Sequence, residues 1–163
     1  MKLKDLNSKD LEILKGITEY GVELSLILKD NILMASDHNR KEIFILKKET
    51  REVLCKIKHQ PYFAGLFIGE IKREKFYLSL EGGSLITPYS NKLIKINDKA
   101  EQLVLYGRDV FINSILKYKK NSLIKGSKYL IVNKKNEFLA IGKFDGKIIK
   151  NLHDKGWYLR KGQ

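Results

Sequence analysis

Leu103 to Gln163 reads LVLYGRDVFINSILKYKKNSLIKGSKYLIVNKKNEFLAIGKFDGKIIKNLHDKGWYLRKGQ, and this stretch decides how the chain folds. Apolar pieces of strand length alternate in it with short polar or basic turns. Lys128–Val132, Glu137–Lys143 and Lys147–Lys150 carry the branched and aromatic residues that suit a pleated, half-buried surface. Asn133–Asn136, Asp145-Gly146 and Asp154–Gly156 carry the residues of tight turns. Leu103–Tyr106 is a further strand-like piece running into Gly107, Val110–Ile115 reads as a short helix after that glycine, and Trp157–Arg160 reads as a final strand. Ahead of the stretch, Leu93–Ile96 alternates apolar and basic and enters the same module. Five or six short strands and one short helix in about 70 residues predict a compact β-barrel-like module.

The charge is lopsided. From Lys92 onward there are 17 Lys and Arg against 6 Asp and Glu, a net of +11, whereas residues 1–91 hold 15 against 13, a net of +2. An acidic polymer is one reason to concentrate positive charge at one end, and a solubilising lysine-rich surface is another. Lys147, Lys150 and Lys155 lie on successive segments, and Arg160 and Lys161 extend them. Gly107-Arg108 at a helix start would let free amides and a guanidinium meet on a phosphate, or else forms a plain strand-to-helix turn. Tyr158 and Tyr129 are candidates for stacking on a base. Trp157 is expected to plug one end of the barrel, with Tyr158 on the opposite face of the strand.

Residues 1–91 read as a mixed α/β module. Asn7 or Ser8 can cap a helix with Leu6, Leu11, Ile13, Leu14 and Ile17 on its apolar side and Asp10 in its first turn. Leu24–Leu28 reads as a buried strand, followed by strands at Ile32–Met34 and Glu42–Leu46 and a short helix over Thr50–Ile57. After Pro61, the apolar segment Tyr62–Ile71 pairs through the charged turn Lys72–Lys75 with Phe76–Leu80. Gly82 and Gly83 are expected to end that strand, and Ser84 to cap one or two helical turns through Tyr89.

No enzyme signature stands out. Cys55, the single cysteine, sits among Val53, Leu54 and Ile57 and is expected to be a buried thiol, in keeping with a reducing compartment. His38, His59 and His153 have no ligand spacing, so neither a metal nor another cofactor is expected. Gly82-Gly83-Ser84 lacks the lysine of a phosphate loop. Methyl transfer from S-adenosylmethionine would need a larger doubly wound sheet. With no export signal and no apolar run of membrane length, the expectation is a soluble, cytoplasmic monomer without a membrane partner.

LVLYGRDVFINS, Leu103–Ser114, is similar to the opening of a PUA domain, an RNA-binding pseudobarrel, and GSKYLIVNKKNEFLAIGK, Gly126–Lys143, resembles that domain's central hairpin. NLHDKGWYLRKG, Asn151–Gly162, looks like the C-terminal strand of archaeal members of the NIP7 family of ribosome-biogenesis proteins. LFIGEIKREKFYLSLEGGSLITPY, Leu66–Tyr89, resembles the segment preceding the PUA domain in that family, and LNSKDLEILKGI resembles its first helix. The resemblance implies an α+β chain: an N-terminal mixed α/β domain over 1–91, then a C-terminal PUA-like β pseudobarrel over 92–163. It implies no catalysis. It implies a role in large-subunit assembly and pre-rRNA processing, with single-stranded RNA, uridine-rich for some members, as partner. Other assembly factors, an RNA methyltransferase or the RNA exosome are the implied protein partners. The RNA-binding residues expected on these grounds are Lys147, Lys150, Lys155, Arg160, Lys161, Arg108, Lys128 and Tyr158.

Overall fold

The computed structural model describes residues 3–36, 41–58, 64–118 and 123–161. His38, His59 and Pro61 lie outside them. Internal contacts divide the chain into two compact units. The first takes the chain up to Thr18 together with Glu23–Leu85, and the second takes Glu19–Val22 together with the chain from Ile86 onward.

The first unit is a mixed α/β arrangement. Its strands are β1 (Leu3–Asp5), β2 (Asn31–Ser36), β3 (Lys41–Lys47), β4 (Leu66–Lys72) and β5 (Lys75–Leu78), and its helices are α1 (Ser8–Leu14), α2 (Leu24–Leu28) and α3 (Lys48–Lys56). The strands form one antiparallel sheet in the order β1-β2-β3-β4-β5. Asn7 caps α1: its side chain accepts from the Asp10 amide at 2.8 Å, and the Asp10 carboxylate accepts from the Asn7 amide at 3.3 Å. Each of those groups would otherwise leave an orphan donor at the helix start. Met34, Phe44 and Leu46 pack with Leu3 in the core of this unit. At the β4–β5 turn Arg73 and Glu74 both have positive φ, 49° and 57°, which suits a two-residue hairpin.

Three expectations for this unit are corrected. Leu24–Leu28 is the helix α2, not a strand. Leu24, Ile27 and Leu28 fall on one helical side while Leu26 is 51% exposed, and five residues are too few for periodicity to decide. Cys55 is exposed: α3 buries no residue fully, and it is Leu54, not Cys55, that packs against the core of the sheet. Gly82 and Gly83 lie inside a helix, α4 (Leu80–Ile86). The chain turns into it at Ser79, whose hydroxyl accepts from the Gly82 amide at 2.9 Å. A Cβ on Gly82 would stand 2.3 Å from the Ile68 carbonyl oxygen, so the glycine lets the helix backbone rest on β4.

The second unit contains β6 (Leu93–Ile96), α5 (Asp98–Leu105), β7 (Val110–Phe111), β8 (Ile115–Tyr118), β9 (Lys128–Val132), β10 (Phe138–Phe144), β11 (Ile148–Asp154) and α6 (Trp157–Lys161). Its six described strands run in the order β7-β11-β10-β9-β6-β8 and form a nearly closed barrel. β6 is parallel to β9, and the other pairs are antiparallel. The two edges, β7 and β8, are joined by the single 3₁₀ turn Ile112–Ser114, so one short stretch spans the seam of the barrel. Ile94, Ile96, Val104, Val110, Ile131 and Ile149 are buried in its core.

The segment Glu19–Val22 belongs to this unit although it is far away in sequence. Tyr20 and Val22 are 3% and 2% exposed. The Ser90 hydroxyl donates to the Tyr20 carbonyl, and the Asn91 amide donates to the Gly21 carbonyl at 3.1 Å.

Here too the chain departs from expectation. Leu103–Tyr106 closes the helix α5, which Asn97 caps by accepting from the Ala100 amide at 2.9 Å. Val110–Ile115 is not one helix: Val110 enters the core on β7, and the chain then passes through the 3₁₀ turn Ile112–Ser114 into β8. Trp157–Arg160 lies in the helix α6, closed by the Arg160 amide on the Gly156 carbonyl at 3.1 Å. Four residues were too few to separate strand alternation from one helical turn.

Candidate nucleic-acid interface

Strand register brings lysines together. Lys128 pairs with Lys143 across β9 and β10, and Lys143 pairs with Lys150 across β10 and β11. Directly opposed residues project from the same face, so the three side chains form a row on the outer face, one per strand, at a spacing of about 4.8 Å. Phe144 and Ile149, their neighbours in sequence, point inward and are buried. At the hairpin tip Asp145 accepts from the amides of Ile148 at 2.9 Å and Lys147 at 2.8 Å, and these bonds hold its carboxyl below the usual range. Exposed Lys147 stands there, and the stem of Lys125 lies against Gly146.

Two members of the row have acidic neighbours. Lys150 pairs with Asp109 at 2.9 Å, and Asp109 also accepts from the Asn151 amide at 2.9 Å. Burial pushes the Asp109 carboxyl up, but Lys150 and the Asn151 amide outweigh it and hold it low, while the Asp109 hydrogen bond raises Lys150. Lys128 pairs with Glu19 at 3.0 Å and lies 5.5 Å from the centre of the Tyr20 ring. Burial lowers Lys128, yet Tyr20 and Glu19 together raise it. Lys143, between them, is exposed. Asp109 thus competes with any anion for Lys150. Asp109→Asn keeps an acceptor for the Asn151 amide and removes the charge. It is expected to tighten RNA binding and to steepen its salt dependence by about 0.7 in log–log slope, as measured by fluorescence anisotropy over a salt series.

The remaining expected residues do not join this row. Lys155 follows β11 at its far end, eight residues from Lys147, or about 26 Å along extended chain. Its ammonium lies 5.6 Å from the Phe138 ring centre. Lys161 sits 4.9 Å over Trp157, which meets His153 and Tyr158 edge-on. Trp157 is 38% exposed and does not plug the barrel. Tyr158 follows it on the helix α6, not on the opposite face of a strand, and is exposed. Tyr129 is buried, its hydroxyl accepting from the Ile124 amide at 2.9 Å, which leaves no face for a base.

Arg160 has a structural task. Its guanidinium donates to both oxygens of buried Asp154 at 3.0 Å and to the Leu105 carbonyl, and Asp154 raises its pKa. Leu105 is the last residue of α5, where unpaired carbonyls and the negative end of the helix dipole favour a cation. Gly107 follows with φ 81°; its amide bonds the Val104 carbonyl at 2.8 Å and the Arg108 amide bonds the Leu103 carbonyl at 2.9 Å. Gly107-Arg108 is therefore a helix exit, not a helix entry. Carbonyls converge there in place of amides, the wrong polarity for a phosphate, and only the exposed Arg108 side chain remains available. Arg160→Ala is expected to lower the melting temperature in calorimetry while leaving the salt slope of RNA binding unchanged.

Sequence reading did not single out Lys143, which stands in this row, or Lys125, which lies beside it at the hairpin tip. The signal for Lys143 was the hairpin about Asp145-Gly146: once Phe144 is set opposite Ile149, Lys143 faces Lys150. Among the described residues no group of three or more His, Cys, Asp or Glu is placed to hold a metal, and no helix is long and apolar enough to cross a membrane.

Comparison with known proteins agrees with this architecture. Residues 92–163 match the model of the UPF0113 PUA domain, and residues 3–80 match that of the NIP7/UPF0113 pre-PUA domain. A UPF0113 protein of Archaeoglobus fulgidus is 29% identical over 98% of this chain and 95% of its own length. Another, from Aeropyrum pernix, is 32% identical over 75% of this chain and 70% of its own length. The solved structure of a conserved PUA domain protein from Thermoplasma acidophilum superposes with a TM-score of 0.62 at 16% identity, covering 99% of both chains. With both domain models matched in order along its length, the chain belongs to the NIP7/UPF0113 family of PUA-domain proteins, a non-catalytic, RNA-binding family associated with ribosome biogenesis.

Proposed function

We propose that this chain is an assembly factor of the large ribosomal subunit, acting in pre-rRNA processing, that holds single-stranded RNA on the outer face of β9, β10 and β11. Uridine-rich RNA is the favoured ligand. The observation that carries this reading is the in-register row Lys128, Lys143 and Lys150, with Lys147 and Lys125 at the hairpin tip beside it. Such a row suits a flexible polyanion laid across the strands, with phosphates on ammonium groups. Three or four phosphate contacts release counterions and give a log–log salt slope of about −2 to −3. Titrating a labelled uridine decamer with the full chain at several salt concentrations tests it. A slope near zero, or equal binding to double-stranded RNA, would count against a single-strand phosphate track.

A further inference from the structure

Phe111 is 62% exposed, while the other described phenylalanines are buried or half-buried. It sits on β7, opposite Ile148 of β11, so the two side chains share a face. Ile148 is two residues from Lys150, so this is also the face that carries Lys150 and Lys143. Phe111 is one strand across and two residues along from Lys150, a separation of about 8 Å between backbones. An open aromatic ring thus adjoins the end of the lysine row.

The charge beside it favours one part of a nucleotide. Asp109 lies directly across from Lys150, at 2.9 Å from its ammonium. A phosphate path running from β9 to β11 meets that carboxylate at β7 and is repelled there, whereas an uncharged base is not. We infer that Phe111 is a base-stacking residue, receiving an unpaired nucleobase of the strand whose phosphates lie on Lys143 and Lys150. This rests on the RNA reading above and adds a contact to the base that the lysines do not supply. Stacking on an aromatic ring tolerates any base, so Phe111 strengthens binding without reading sequence.

The test compares the full-length protein with Phe111→Ala and Phe111→Trp on a labelled uridine decamer and on the same backbone without bases. The expected result is binding of the decamer weakened roughly 5- to 150-fold by Phe111→Ala, the range of one lost stack, with the salt slope unchanged. Phe111→Trp should restore the affinity, and on the abasic backbone all three proteins should bind alike. Undiminished binding of the decamer by Phe111→Ala overturns the inference while leaving the phosphate track standing. An equal loss on both ligands also overturns it, because the ring would then only support the lysines. Wild-type protein that shows no salt-dependent affinity for either ligand removes the RNA reading and this inference together.

Discussion

Replacing Lys143, Lys147 and Lys150 together with alanine is expected to bring the salt slope of RNA binding close to zero, with about −0.7 left if one contact survives. Each lost phosphate contact removes about 0.7 from the slope, so three remove about 2. Carried from 1 M salt, where this contribution vanishes, the change amounts to a loss of about 50-fold at 150 mM and about 500-fold at 50 mM. The loss is expected to be similar for most sequences, since phosphates carry no sequence information. Lys47, Lys56 and Lys58, exposed in the first unit, provide a control with the same formal charge. Equal losses in both triple variants would reduce the positive charge to a diffuse attraction. Lys155→Ala separates the row from the far end of β11 and is expected to bind as the wild type does.

Tyr20→Ala is expected to cost about 3–5 kcal/mol of stability, the usual range for removing a buried aromatic side chain. The residue is 3% exposed and its ring lies beneath the Lys128 ammonium. The cost should fall on the second unit, to which Glu19–Val22 belongs. Native-state hydrogen exchange should therefore show protection lost on β6 and β9 and retained on β2 and β3. Protection lost first from β2 and β3 would contradict this assignment. A fragment starting at Lys92, where the charge changes, would lack Tyr20 and Val22 and be weakened for the same reason.

How far the sequence could be read depended on the length of each signal. The hairpin β10–β11 was legible because Asp145-Gly146 stands between two alternating runs, and α1 because Asn7 and Asp10 announce a capped start. The charge difference and the family resemblance suggested two modules meeting at Lys92, but neither signal pointed to the placement of Glu19–Val22 in the second unit. The failures were short apolar pieces. Leu24–Leu28 and Trp157–Arg160 are each about one helical turn, and their packing partners, not their periodicity, settle them. The structural bonds of Arg160 were not legible, because they depend on Asp154 and on the Leu105 carbonyl 55 residues earlier. Lys155 was grouped with Lys147 and Lys150, from which it stands apart, because nearness in sequence along a strand means distance in space. Lys143 was missed for the opposite reason: its neighbours lie on other strands and appear only once the register is known.

The placement of Glu19–Val22 also bears on the order of events during synthesis. Tyr20 is made about 110 residues before Lys128, a delay of roughly 5–20 s at ordinary translation rates. By then the strands up to Leu78 have been made and can pair, while the apolar side chains of Tyr20 and Val22 still await the barrel that will bury them. Closing so long a loop costs chain entropy before its contacts give anything back, so this docking belongs late on the folding path. A lesion at Tyr20 should then act chiefly on the rate at which the native chain opens, leaving the rate of its formation nearly unchanged.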